Sequence, residues 1–250
     1  MRTRLFRGLT RFGAQRGALG GPITITGGIA VGMCLDARHV SLAHPQAYEL
    51  VRGGVEPDVQ EALRRTVADG AVMWDVGANV GFMSLVAARL GARVHAIEPS
   101  PAGAAAVRAH ALLNGLPIEV LEAAAADTAG RADFLLVEEG SWSHLADRGS
   151  HALTEATVEV DVVRLDDAGL SAPTVVKIDV EGSEGAVLRG MERTLAEDRP
   201  AVICELHETN EEVADLLEAA GYALENLDGP EDIREAGAVH LLARPVRDER

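Results

Sequence analysis

Two glycines four positions apart, set between an apolar run and an amphipathic one, constrain this chain more than any other feature. The stretch is Trp74-Asp75-Val76-Gly77-Ala78-Asn79-Val80-Gly81. The apolar run Ala71–Trp74 leads into it, and Phe82–Leu90 follows with apolar residues at helical spacing, closed by Gly91. A second short apolar strand, Val94–Ile97, then ends on Glu98 and Pro99. Strand, glycine turn, helix and a strand with an acidic end form the unit that binds nucleosides at the carboxyl ends of parallel strands.

The glycine spacing narrows the nucleoside. A dinucleotide fingerprint needs G-x-G-x-x-G, its middle glycine letting the backbone approach a pyrophosphate. Here the spacing is G-x-x-x-G, and Asn79 fills the position where that glycine would help. Asp75 adds a carboxylate at the strand end, unwelcome beside a pyrophosphate and suited to an ammonium group. Glu98 can accept two hydrogen bonds from a ribose diol. A ligand with a ribose, an amino acid end and no phosphate fits these residues, and S-adenosylmethionine has those parts. Asp75, Gly77, Asn79, Gly81 and Glu98 are therefore the expected cofactor-binding residues, with Gly77 and Gly81 passing close under the methionine end.

Three segments together resemble one family. D-V-G-A-N-V-G-F from Asp75, A-I-E-P-S-P from Ala96 and K-I-D-V-E-G-S-E-G-A-V-L-R-G-M from Lys177 are similar to the FkbM family of S-adenosylmethionine-dependent methyltransferases, over roughly Asp69 to Leu206. The first motif is shared by many class I methyltransferases; its occurrence with Lys177–Met191 is far more specific. The resemblance implies a Rossmann-like class I methyltransferase fold with strand order 3-2-1-4-5-7-6 and an antiparallel seventh strand. It also implies an O-methyltransferase acting on a hydroxyl of a natural product or sugar.

Composition agrees with a single α/β domain carrying an extension, large enough to need no staples. Residues 1–55 read as an N-terminal extension and 56–250 as the methyltransferase domain. The net charge of −16 argues against nucleic acid as a partner. Five arginines and no acid occupy the first twenty residues, where Leu5, Phe6, Leu9 and Phe12 have helix-like spacing, so this segment is a candidate lid or a frayed tail. No apolar run approaches the ~18 residues a membrane span requires. Two cysteines, Cys34 and Cys204, without metal spacing point to a reducing cytoplasm.

Along the chain, Ile23–Leu35 reads as a small strand pair, and His44-Pro45 and Tyr48-Glu49 as a loop. Glu56–Ala68 and Pro101–Leu113 read as helices, with strands at Ile118–Ala123, Thr174–Ile178 and Ala201–Cys204. A helix begins at Glu184, another spans Glu211–Ala220, and strands follow at Tyr222–Leu227 and Val239–Ala243. The alternation implies a mostly parallel sheet covered on both faces. Arg131–Val137 and Thr157–Val163 alternate and look like an added β-hairpin around a long polar loop.

Catalytic residues are harder to name. Methyl transfer is an in-line displacement, and an alcohol needs a base or a metal to take its proton. Asp179, Glu205 and His207 fall at the ends of the fourth and fifth core strands, and His207 has the ordinary pKa of a base near neutral pH. His144, beside Trp142 and Ser143 in the long loop, is a second histidine candidate. Asp127 is placed to accept from the adenine amino group or to make an ordinary turn. Asp179, Glu181, Glu205 and His207 are hard ligands compatible with Mg²⁺, but no diagnostic spacing marks a site, and no metal is predicted. The rival readings are a protein or RNA methyltransferase, an NAD-dependent oxidoreductase disfavoured by Asp75 and the glycine spacing, and a binding module without catalysis. Acceptor identity and oligomeric state stay open.

Overall fold

The computed structural model describes residues 21–40, 47–137, 144–145, 154–235, 237 and 240–246. The arginine-rich start, His44-Pro45, Trp142 and Ser143 lie outside them. The small strand pair that the sequence implies comes first, as β1 (Pro22–Thr24) and β2 (Cys34–Asp36), with Ile23 opposite Leu35. Tyr48 and Glu49, expected in a loop, instead lie in helix α1 (Ala47–Arg52). Helix α2 (Pro57–Thr66) follows, with proline in its first turn.

The core alternates β3 (Val72–Val76), α3 (Phe82–Arg89), β4 (Arg93–Ile97), α4 (Pro101–Asn114) and β5 (Ile118–Leu121). After an inserted segment it resumes with β10 (Val175–Ile178), α5 (Glu184–Arg189), α6 (Glu192–Glu197), β11 (Ala201–Glu205), α7 (Asn210–Ala219), β12 (Tyr222–Asn226) and β13 (His240–Pro245). The insertion holds β6 (Ala124–Ala125), β7 (Gly130–Val137), β8 (His144–Leu145) and β9 (Thr154–Val163). The expected hairpin is β7 against β9, and it belongs to a four-stranded sheet in the order β6-β9-β7-β8.

The main sheet has seven strands in the order β12-β13-β11-β10-β3-β4-β5. All neighbours from β11 to β5 are parallel, and β13 is antiparallel to both β11 and β12. Numbered along the chain, this is the order 3-2-1-4-5-7-6 with a reversed seventh strand that the resemblance implies.

Strand alternation splits the core into two layers. Met73, Val94, Val175, Ile203 and Leu242 pack with α2, α3 and the N-terminal segment through Leu35, Leu63, Leu85 and Val86. Val72, Trp74, Val76, Val176, Ile178, Val202 and Cys204 pack with α5, α6 and α7 through Leu188, Leu195 and Leu217. Both faces of β3 and β10 are covered, which explains their continuous apolar runs. The same alternation fixes the polar residues. Asp75 and Lys177 sit in register on neighbouring strands, two places after Met73 and Val175, and so share the α2–α3 face. Glu205 and His240, paired across β11 and β13, continue the face of Ile203 and Leu242.

Candidate functional site

The carboxyl ends of β3 and β4 form one half of the site. The turn after β3 begins at Gly77, with φ +79°, and both Gly77 and Ala78 donate their backbone N–H to the Ile97 carbonyl, at 2.9 and 3.2 Å. A Cβ on Gly77 would run into the Asp179 carbonyl, so only glycine lets the β3 turn lie against the turn after β10. Asn79, also in the left-handed region at φ 52°, donates its backbone N–H to Glu98 Oε2 at 2.7 Å. Glu98 Oε1 accepts the Ser100 N–H at 2.8 Å. Glu98 is 6% exposed, and this burial, only partly offset by its two backbone donors, pushes its pKa up to about 7. Each carboxylate oxygen keeps a second lone pair for a ligand hydroxyl.

Asp75 is fully buried, and Ser84 of α3 donates its hydroxyl to Oδ2 at 2.5 Å. Its Oδ1 is buried without a hydrogen-bond partner among the described residues. Burial pushes this carboxyl above the usual range, against the opposing pull of the Lys177 charge and the Ser84 hydroxyl. A ligand ammonium group would supply the missing partner. Asp75, Gly77, Asn79, Gly81 and Glu98 are thus gathered around one turn.

The ends of β10 and β11 form the other half. Lys177 is buried, with its Nζ 2.8 Å from Asp179 Oδ2. Burial acts to strip its charge, but Asp179, Glu56 and Asp75 more than offset this and hold it as an ammonium. His207 is enclosed by acids. Its Nδ1 is 2.9 Å from Glu184 Oε1, and its Nε2 is 3.3 Å from Glu181 and 3.5 Å from Glu205. Burial opposes its charge, yet hydrogen bonds to Glu184 and Glu205 and the field of Glu181 raise its pKa to about 10. The direction of this shift favours a His207 that keeps its proton near neutral pH, and so speaks for another group as the base expected there. Glu181, at φ 54°, is instead pushed up to about 7, chiefly by burial.

The remaining sequence candidates stand differently. Asp127 faces Arg189 of α5, whose Nε lies 3.4 Å from Oδ2, so an adenine amino group has to compete with a guanidinium. His144 falls on β8 of the second sheet, not on the sheet whose strand ends carry Asp179 and His207. Sequence reasoning missed Lys177, Glu184, Ser84 and Gly103 as site residues. Gly103 stands in an alanine-rich helix that has no need of glycine, and that was its signal. A Cβ there would lie 2.9 Å from Glu98 Cγ and 3.0 Å from the Asn79 carbonyl.

This strand order, with acids gathered at the carboxyl edge, defines a Rossmann-like class I methyltransferase. The chain belongs to the FkbM methyltransferase family: the family's "Methyltransferase FkbM domain" model matches residues 75–224. Among curated proteins, the 31-O-demethyl-FK506 methyltransferase FkbM of Streptomyces tacrolimicus is 31% identical, the match covering 62% of this chain and 74% of that protein. The hexuronic acid methyltransferase AglP of Haloferax volcanii is 29% identical, covering 61% and 62%. Among solved structures, the FkbM methyltransferase of Methylobacillus flagellatus KT aligns with a TM-score of 0.49 at 20% identity, covering 80% of this chain and 53% of that one. The chain thus spans about three-fifths of the Haloferax volcanii relative and about half of the crystallised one. Among the described residues, no helix is long and apolar enough to cross a membrane.

Proposed function

We propose that this protein transfers a methyl group from S-adenosylmethionine to a hydroxyl oxygen of a small molecule, a natural product or a sugar. The observation that carries the reading is the buried Oδ1 of Asp75, without a hydrogen-bond partner among the described residues, near the end of β3 beside the turn that Glu98 braces from the end of β4. One carboxylate awaits an ammonium group and the other has lone pairs for a ribose diol. The two curated relatives, a 31-O-demethyl-FK506 methyltransferase and a hexuronic acid methyltransferase, support an oxygen nucleophile on a small molecule. A cytoplasmic setting belongs to the same reading and rests on the free thiols Cys34 and Cys204.

When bound, S-adenosylmethionine supplies an electrophilic methyl on its sulfonium. The chain's own residues do the rest. Gly77 and Gly81 keep the floor of the site low, Asp75 fixes the ammonium end, and Glu98 fixes the ribose. Asp179 and Glu181 stand beyond β3 on the neighbouring strand end, where the acceptor oxygen has to lie for in-line attack. Glu181 would take the proton the acceptor hydroxyl gives up when the methyl leaves sulfur for oxygen, the C–S bond breaking as the C–O bond forms and S-adenosylhomocysteine departing, since its pKa near 7 suits a base at neutral pH. Protonated His207, anchored by Glu184, holds Glu181 in place.

The test is an assay with S-adenosylmethionine carrying a labelled methyl, run over a panel of secondary alcohols and hexuronates. The expected result is a labelled methyl ether and one S-adenosylhomocysteine per transfer. Label reaching only protein or RNA acceptors would favour the rival reading.

A further inference from the structure

At the sheet edge beyond Lys177, three donors converge that the proposed methyl transfer does not use. Glu205 closes β11 and His240 opens β13, directly paired across the antiparallel ladder. Glu56 stands just before α2, which packs over β11 and β13. It holds φ at 42°, an uncommon conformation for a residue with a side chain. One ligand atom from each of the three lies within 4.8 Å of the others.

Two details separate this group from a chance meeting of charges. Asp228 grips His240 from behind, its Oδ2 accepting the His240 backbone N–H at 2.8 Å and its Oδ1 facing Nδ1 at 3.1 Å. With the Nδ1 proton donated to Asp228, the Nε2 lone pair is presented on the far side of the ring, where Glu205 Oε2 lies 3.9 Å away. A carboxylate behind an imidazole is the arrangement that orients metal-binding histidines. In addition, His240 Nε2 and Glu56 Oε2 are both buried with no hydrogen-bond partner among the described residues. Two orphaned donor atoms of different chemistry in one group call for a shared positive partner. Of the nearby cations, Lys177 is hydrogen-bonded to Asp179 and reaches Glu56 only through its field, and His207 is engaged by Glu184, Glu181 and Glu205.

We propose that Glu56, Glu205 and His240 form a binding site for a divalent transition-metal cation, with Asp228 as the positioning residue. An imidazole with two carboxylates suits Zn²⁺ or Mn²⁺ better than Mg²⁺ or Ca²⁺, which favour all-oxygen shells. Bonds of about 2.0–2.2 Å require donors roughly 3–3.5 Å apart, so the three side chains draw together by less than about 2 Å when the ion enters. Three protein ligands leave a position for water or an oxygen ligand. This site does not depend on the methyl-transfer reading.

The experiment is calorimetric titration of the tag-free, chelator-stripped chain with ZnCl₂, repeated with MnCl₂. One ion per chain is expected. His240→Ala and Glu56→Gln should each weaken binding at least about tenfold, Asp228→Asn should weaken it roughly tenfold, and His207→Gln should keep it. Saturable binding absent from the folded protein would overturn the proposal. So would binding that survives in His240→Ala and Glu56→Gln but is lost in His207→Gln, which would move the ion to the neighbouring group of Asp179, Glu181 and His207. If a variant fails to fold, pulsed electron paramagnetic resonance on Mn²⁺-loaded His207→Gln protein decides. Coupling to an imidazole nitrogen supports the site, and its absence refutes it. S-adenosylhomocysteine affinity on the same samples reports separately on the cofactor reading.

Discussion

Asn79 and Glu98 tie the turn after β3 to the end of β4: the Asn79 backbone N–H reaches Glu98 Oε2 at 2.7 Å. Glu98 therefore holds the β3 turn in shape, and in the proposed function its outer lone pairs would also serve a ribose. Glu98→Ala should weaken S-adenosylhomocysteine about 10- to 1,000-fold, since charge-assisted hydrogen bonds contribute roughly 1.5–3 kcal/mol each. The pH dependence has a definite sign. Ribose hydroxyls donate to the ionised carboxylate, whose pKa without ligand is about 7, so affinity should rise with pH through that value. Between pH 8 and pH 6 the affinity should drop about tenfold. Glu98→Gln should bind weakly and lose this dependence; calorimetry across the range checks both.

Gly103→Ala offers a test against helix propensity. In an exposed helix the change would stabilise by about 1 kcal/mol. Here the new methyl meets Glu98 Cγ at 2.9 Å and the Asn79 carbonyl at 3.0 Å, and overpacking costs about 1–3 kcal/mol. The variant should gain no stability and should bind S-adenosylhomocysteine more weakly. A higher melting temperature with unchanged affinity would show that the α4 contact with Glu98 is dispensable.

Glu184 is fully buried and accepts from Gly182 N–H at 2.8 Å and Thr209 Oγ1 at 2.8 Å, besides facing His207. Glu184→Ala leaves the buried Gly182 N–H and Thr209 hydroxyl unpaired and removes the carboxylate facing Nδ1 of the half-buried His207. The loss should be about 3–5 kcal/mol, a melting-temperature drop of roughly 6–20 °C. Glu184→Gln keeps the shape and should cost less. Calorimetric melts of the two variants decide whether this carboxylate organises the β10 and β11 ends.

The proton acceptor can be found by kinetics. Glu181→Gln should lower kcat about 10²–10⁴-fold with little change in cofactor affinity. The rate should rise with pH through about 7, and that limb should vanish in the variant. If Asp179→Asn gives the larger loss and Glu181→Gln keeps the limb, the proton goes to Asp179.

The fold was legible because its signals are local. Val72–Val76 and Val175–Ile178 are apolar on both faces, Gly77 and Gly81 mark the turn, and Pro101 and Gly115 bracket an alanine-rich helix. Tyr48-Glu49 has no helical signal of its own, because its helix, Ala47–Arg52, is only six residues long and shows too little periodicity. Asp75 and Glu98 could be placed together for the same local reason, each lying one residue from a strand end. The surroundings of His207 could not: a sequence shows His207 and three glutamates but not which of them touch, and it is their contact that raises the pKa of His207. His240 and Asp228 are twelve residues apart across an acidic loop, and only the antiparallel return of β13 sets them beside Glu205.

The most direct measurement compares two ligands on one variant. Asp75→Asn keeps the volume of the side chain and an oxygen for the Ser84 hydroxyl, but removes the negative charge from the turn. S-adenosylhomocysteine carries the ammonium group that Asp75 is expected to meet, whereas methylthioadenosine has the same adenosine and thioether without the amino acid end. Calorimetry should show S-adenosylhomocysteine weakened at least about tenfold by the substitution, in line with a charge-assisted contact of roughly 1.5–3 kcal/mol, and methylthioadenosine unchanged. Equal effects on both ligands, or no binding of S-adenosylhomocysteine to the folded wild-type chain, would contradict the account.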